Sequence, residues 1–201
     1  MERLNQDGRY RTVYTNLETA QTVREDVGLG MRAICGALEA AARLYLDDDR
    51  LPDWTEDAWN RRGPNGVLTG LLEHWSAQSH QPLVLLLDEI DALVGDTLVS
   101  LLRQLRTGYP QRPGHFPQTV VLCGVRDLRD YRIHARSEAA PITGGSALNI
   151  KAKSLRLGDF TTAETRTLLL EHTAETGQPF TRAALGDFRV TISLLSHRRS
   201  G

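Results

Sequence analysis

Apolar and polar positions along this chain follow two different periods, and the switches between them mark out its elements. Residues 83–87 (L-V-L-L-L) form an unbroken apolar run bounded by Pro82 and the acids Asp88 and Glu89. A run of that kind suits a strand buried on both faces of a parallel sheet. Residues 119–123 (T-V-V-L-C) read as a second buried strand ending at Gly124. Residues 12–17 (T-V-Y-T-N-L), β-branched and aromatic at their start, predict a short third strand.

Between these runs the period lengthens to that of a helix. Ile34, Leu38, Ala41 and Tyr45 place an amphipathic helix over residues 31–46. Leu68, Leu71, Leu72 and Trp75 predict another over about residues 67–79, and Leu98, Leu101, Leu102 and Leu105 a third. Residues 1–7 read as the tail of a helix stopped by Gly8. Residues 47–64, with D-D-D, two Trp and R-R-G-P, read as a polar surface excursion. A Pro/Gly-rich turn covers residues 108–117, and an apolar pulse at Leu155 and Leu157 marks a last short strand. Thr161 and Glu164 have capping-box spacing and open a helix running to about His172. Strands alternating with helices imply a parallel α/β sheet.

The chemistry concentrates behind the 83–87 run. Carboxylates at the carboxyl end of a buried parallel strand stand where open α/β sheets bind ligands. In phosphoryl-transfer sites the first acid helps hold Mg²⁺ and the second can polarise the attacking water. Asp88 and Glu89 therefore form a Walker B pattern. Its usual companion, the Walker A loop G-x-x-x-x-G-K-[ST], needs a Gly-Lys pair. The only lysines are Lys151 and Lys153, preceded by Ile150 and Ala152, so this sequence contains no such pair.

Composition narrows the remaining classes. With 201 residues, 40% hydrophobic and 24% charged, the chain can bury one core with a small appendage. A net charge of -1 gives no general attraction to nucleic acid or to an anionic membrane. Cys35 and Cys123 are too few for a disulfide framework or a cysteine metal site. The six histidines show no H-E-x-x-H spacing. No apolar run nears the roughly 18 residues of a membrane span. The polar start M-E-R-L-N-Q-D-G-R-Y carries no signal-peptide core, which makes the cytoplasm the default expectation.

Three stretches, in order, resemble the AAA-like P-loop ATPases of the bacterial signal-transduction (STAND-like) type. They are L-V-L-L-L-D-E-I-D-A-L-V-G-D, V-L-C-G-V-R-D-L-R-D-Y-R and S-L-R-L-G-D-F-T, and the likeness spans about residues 4–180. It implies a five-stranded parallel core of P-loop NTPase type, helices on both faces, and then a small helical lid. By that likeness residues 1–158 form an incomplete core and 159–201 a partial lid and tail. The first strand, the phosphate loop and its magnesium-binding Ser/Thr would lie upstream of Met1, making the chain an internal fragment shortened at both ends.

The resemblance also implies roles. Asp88 would hold Mg²⁺ through water, Glu89 would orient the attacking water, and Arg126 would read the γ-phosphate. A guanidinium suits that last task because its planar fork binds phosphate bidentately. Asp91 fits the motif and equally fits a solvated loop acid. Arg126 has a plainer reading too, a surface ion pair with Asp127. Arg129, Arg132 and Arg136 could continue a basic stripe, but Asp127, Asp130 and Glu138 interleave and favour an ordinary solvated face. Gly144 and Gly145 read as a flexible loop.

The expected function is therefore an ATP-binding or ATPase domain of an AAA-like signalling protein that retains Walker B and lacks Walker A. ATP and Mg²⁺ would be its ligands, held weakly or not at all by this chain alone, and nucleotide, protein partners or self-association are the expected partners. The alternative is a non-catalytic interaction or regulatory module derived from the same fold.

Overall fold

The computed structural model describes residues 1–23, 25–125, 155, 158 and 160–181. The chain divides into two compact units, Met1–Ala152 and Lys153–Gly201. In the first, α1 (Glu2–Gln6) leads into β1 (Arg11–Asn16), followed by α2 (Val27–Leu46), α3 (Leu51–Arg62) and α4 (Val67–Ala77). Then come β2 (Leu83–Asp88), α5 (Gly95–Gly108) and β3 (Thr119–Leu122). The three strands form one parallel sheet in the order β1-β2-β3, with Val13 opposite Leu85 and Leu85 opposite Val120. The architecture is thus α/β with a parallel sheet, as the alternation of strand and helix patterns predicts.

Strand residues of one parity build the core. Val13, Leu83, Leu85 and Leu87 are essentially buried, in one cluster with Ile34 and Leu38 of α2, Leu51 of α3, Leu71 and Trp75 of α4, and Leu101 and Leu102 of α5. Each fully buried Leu contributes about 1.5–3 kcal/mol. On the other parity Thr12 and Val84 are buried, whereas the row of Tyr14, Leu86 and Val121 is only partly so, with Val121 40% exposed. Among the described residues, helices α2–α5 therefore pack on one face, and the expected cover on both faces is met on one side only. The topology explains this: two crossovers of one hand, stepping in the same direction, place their helices on the same side.

One expectation is overturned. Residues 47–64 are not a loop, because α3 occupies Leu51–Arg62. Pro52 sits in its first turn, where its missing N–H costs nothing. Leu51, Thr55 and Ala58, at i, i+4 and i+7, are its buried residues, and Gly63 at φ +62° ends it. The flanking acids and the lack of large aliphatic residues hide that stripe in the sequence. The junction before α3 is pinned by Asp48, which is 3% exposed and accepts from Arg50 Nε and Nη2 at 2.8 Å each and from Arg11 Nη2 at 3.0 Å.

Helix α2 begins a turn earlier than its apolar stripe, since Asp26 caps it by accepting from Leu29 N–H at 3.0 Å. The outer edge of β1 is occupied by α1, where Asn5 pairs with both backbone groups of Thr12. Thr12 N–H donates to Asn5 Oδ1 at 2.6 Å, and Asn5 Nδ2 donates to Thr12 C=O at 2.9 Å. Such a cover keeps an edge strand from recruiting other chains.

In the second unit, α6 (Thr162–Thr176) starts with the expected capping box of Thr161 and Glu164 and stops at Gly177, φ +74°. None of its residues is buried. Leu155 is 75% exposed and lies in no strand, while Leu157 falls outside the described residues. Among the described residues no helix is long and apolar enough to cross a membrane.

Candidate functional site

Asp88 closes the central strand, level with Asn16 of β1. The 2.0-residue period of a strand puts it on the same face as Leu86, and hence beside Tyr14. The Tyr14 hydroxyl donates to Asp88 Oδ2 at 2.8 Å, and Glu89 N–H donates to Asp88 Oδ1 at 2.9 Å. Leu17 N–H donates to the Asp88 carbonyl at 3.0 Å, which ties the exit of β1 to the same residue.

Glu89 turns the chain. It adopts a left-handed conformation at φ 54°, ψ 41° and is exposed, so the carboxylate after Asp88 stands out from the sheet. That backbone region costs a non-glycine residue about 1 kcal/mol. A single turn of 3-10 helix, Ile90–Ala92, follows, with Ile90 buried as its anchor. Ile90 N–H donates to the Cys123 carbonyl at 3.1 Å, and Cys123 N–H donates to the Leu87 carbonyl at 2.8 Å. Asp91 Oδ2 accepts from Val125 N–H, just beyond β3. The end of β2 is therefore bonded to β1 and its exit, and the loop after β2 to the chain leaving β3.

The electrostatics follow from these contacts. The hydrogen bond to Asp88 pushes the Tyr14 phenol up from its ordinary value, with burial and the Asp88 charge acting in the same direction. Burial, then the Asp88 charge, pushes the Cys123 thiol up, which suppresses its thiolate. Burial pushes Cys35 up to about 12. Both cysteines are free, and neither is an activated nucleophile.

Magnesium characteristically takes one or two carboxylates and completes its shell with water and phosphate oxygens. Among the described residues no group of three His, Cys, Asp or Glu side chains could hold an ion. Asp88 fits the water-mediated role, because each of its oxygens accepts one hydrogen bond and keeps a second lone pair. An ion there would have to arrive with its own phosphate oxygens.

Of the residues singled out in the sequence, Asp88, Glu89 and Asp91 come together at the end of β2 and in the loop that follows it. Arg126, with Arg129, Arg132, Arg136, Gly144 and Gly145, lies outside the described residues. Tyr14 and Gly124 are participants that the sequence reading misses. A strand tyrosine two residues before the strand end is an available signal for Tyr14, but only the strand register shows that it faces Asp88. No protein-family model, curated protein or solved structure matches this chain.

Proposed function

We propose that this chain is the Walker B portion of an AAA-like P-loop ATPase domain of the signal-transduction type. The observation that carries the reading is the placement of Asp88 and Glu89 at the carboxyl end of the central strand of a parallel sheet ordered β1-β2-β3. That is the position at which open α/β sheets receive ligands.

In this reading Asp88 orients a water of the metal shell, held in place by the Tyr14 hydroxyl and the Glu89 amide. Glu89 accepts a proton from the attacking water, and Arg126 contacts the γ-phosphate. Bound Mg²⁺ would supply neutralisation of the phosphate charge. The 201 residues contain no Gly-Lys pair, so most phosphate contacts are missing from this sequence. The same observation favours a second reading, a non-catalytic module that keeps the acidic pair without turnover.

Isothermal titration with Mg·ATP tests the first expectation. The 201-residue chain should show no micromolar affinity, because its sequence lacks the G-x-x-x-x-G-K-[ST] loop whose lysine and backbone amides supply most phosphate contacts. Micromolar binding would mean that another segment cradles the phosphates and would overturn this account of the site.

A further inference from the structure

The three acids of the D-E-I-D loop are not equivalent. Asp88 is held from β1 by the Tyr14 hydroxyl. Asp91 reaches the other way and accepts the Val125 N–H, on the chain leaving β3. Glu89 stands between them, exposed and in the left-handed conformation. One oxygen of Asp91 is thus committed to the backbone of the neighbouring strand's exit.

Gly124 makes that commitment possible. A Cβ at this position would run into the Asp91 carboxylate and would lie 2.7 Å from Cγ2 of Ile90. Its backbone is outside the left-handed region, so the need for glycine here comes from space and not from φ. A third bond, Ile90 N–H to the Cys123 carbonyl at 3.1 Å, braces the same junction.

We propose that Asp91 is a positioning residue that couples the acidic loop to the chain leaving β3, with Gly124 as the clearance the coupling requires. The inference rests on the proposed ATPase reading for what the loop holds, and it deepens that reading. Asp91 acts through Val125, and the next residue in sequence is Arg126, the proposed γ-phosphate contact. The bond ties the acidic loop to Val125, the residue that precedes Arg126 in the sequence.

Amide hydrogen exchange on the ¹⁵N-labelled 201-residue chain, without nucleotide, tests the coupling. Asp91→Ala should speed exchange of the Val125 amide about tenfold, the size expected for losing a hydrogen bond to a charged group. The β2 amides of Leu85 and Leu87 should stay within about twofold of the parent, since their ladder is untouched. Asp91→Asn keeps an accepting oxygen and should return Val125 to within about threefold. Gly124→Ala should speed the same amide with Asp91 intact, because the added methyl displaces the carboxylate. An unprotected Val125 in the parent, no change in Asp91→Ala, no rescue by Asn, or acceleration spread evenly over β2 and β3 would each overturn the proposal. No nucleotide enters the measurement, so failure of the ATPase reading and failure of the coupling are separate results.

Discussion

Tyr14 on β1 donates its hydroxyl to Asp88 on β2 at 2.8 Å, across 74 residues of sequence. The contact joins the phenol to the residue proposed to stand nearest the metal shell. It also sets a pH dependence, since the phenol is pushed up from its ordinary value chiefly by this bond. A raised folded value means that the neutral hydroxyl is the form the fold favours. The stability it supplies is fully present below about pH 10, the ordinary tyrosine value, and is lost as pH rises through the folded value. Tyr14→Phe should flatten that alkaline limb in urea melts collected from pH 8 upward. An unchanged limb would show that the bond is not formed in solution.

Asp48 supplies the opposite case at the acid end. It is buried, and hydrogen bonding from Arg50 is the largest influence holding its carboxyl below the ordinary range, with Arg11 adding its charge. A depressed folded value stabilises the protein above the unfolded value of about 3.9, and that stability is lost as pH falls through the folded one. Asp48→Asn should therefore reduce stability at pH 7 and blunt the fall below pH 4. Asp48→Ala leaves Arg11 and Arg50 without their shared acceptor, but Arg50 is half exposed and can rehydrate. A loss of about 2 kcal/mol, below the range for fully buried pairs, is expected by chemical denaturation.

Gln104 of α5 serves as the amino-terminal cap of α4. Its Oε1 accepts from Leu68 N–H at 2.9 Å and Thr69 N–H at 3.2 Å, while Nε2 donates to the Pro64 carbonyl at 3.0 Å. The position is buried, so removing the amide strands two backbone donors away from water. Gln104→Ala should cost about 3 kcal/mol, measured by urea unfolding, at 1–3 kcal/mol per unsatisfied group. A loss below about 1 kcal/mol would mean that water replaces the cap.

These contacts mark how far the sequence could be read. The β2 run and its acidic pair were legible because five consecutive apolar residues leave a buried parallel strand as the economical reading. The helices α2, α4 and α5 were legible from the helical spacing of their apolar residues. Helix α3 was not, because its buried stripe uses Thr55 and Ala58, which carry no strong hydrophobic signal. Gln104 is a polar residue beside the leucines of the α5 stripe, and only the packing of α5 against α4 shows that its amide meets backbone N–H groups. Likewise, Tyr14 to Asp88 and Asp91 to Val125 join residues 74 and 34 positions apart. Such pairings join segments far apart in sequence and appear only once the strands are set side by side.

The last expectation concerns Glu89, the one acid of the proposed site that projects from the loop between two anchored neighbours. A longer polypeptide that places a G-x-x-x-x-G-K-[ST] segment ahead of this sequence should hydrolyse ATP in a magnesium-dependent way. In that polypeptide Glu89→Gln keeps the shape and the left-handed backbone but removes the base. Turnover should fall about 10²–10⁴-fold, the usual contribution of a general base, with Mg·ATP affinity within about threefold. Asp88→Asn should instead weaken Mg·ATP binding as well as turnover, because it alters the carboxylate proposed to face the metal shell. Steady-state hydrolysis and equilibrium titration on the same preparations separate the two effects. Equal turnover with Gln at position 89 would remove Glu89 from the chemistry and leave the non-catalytic module as the better reading of this fold.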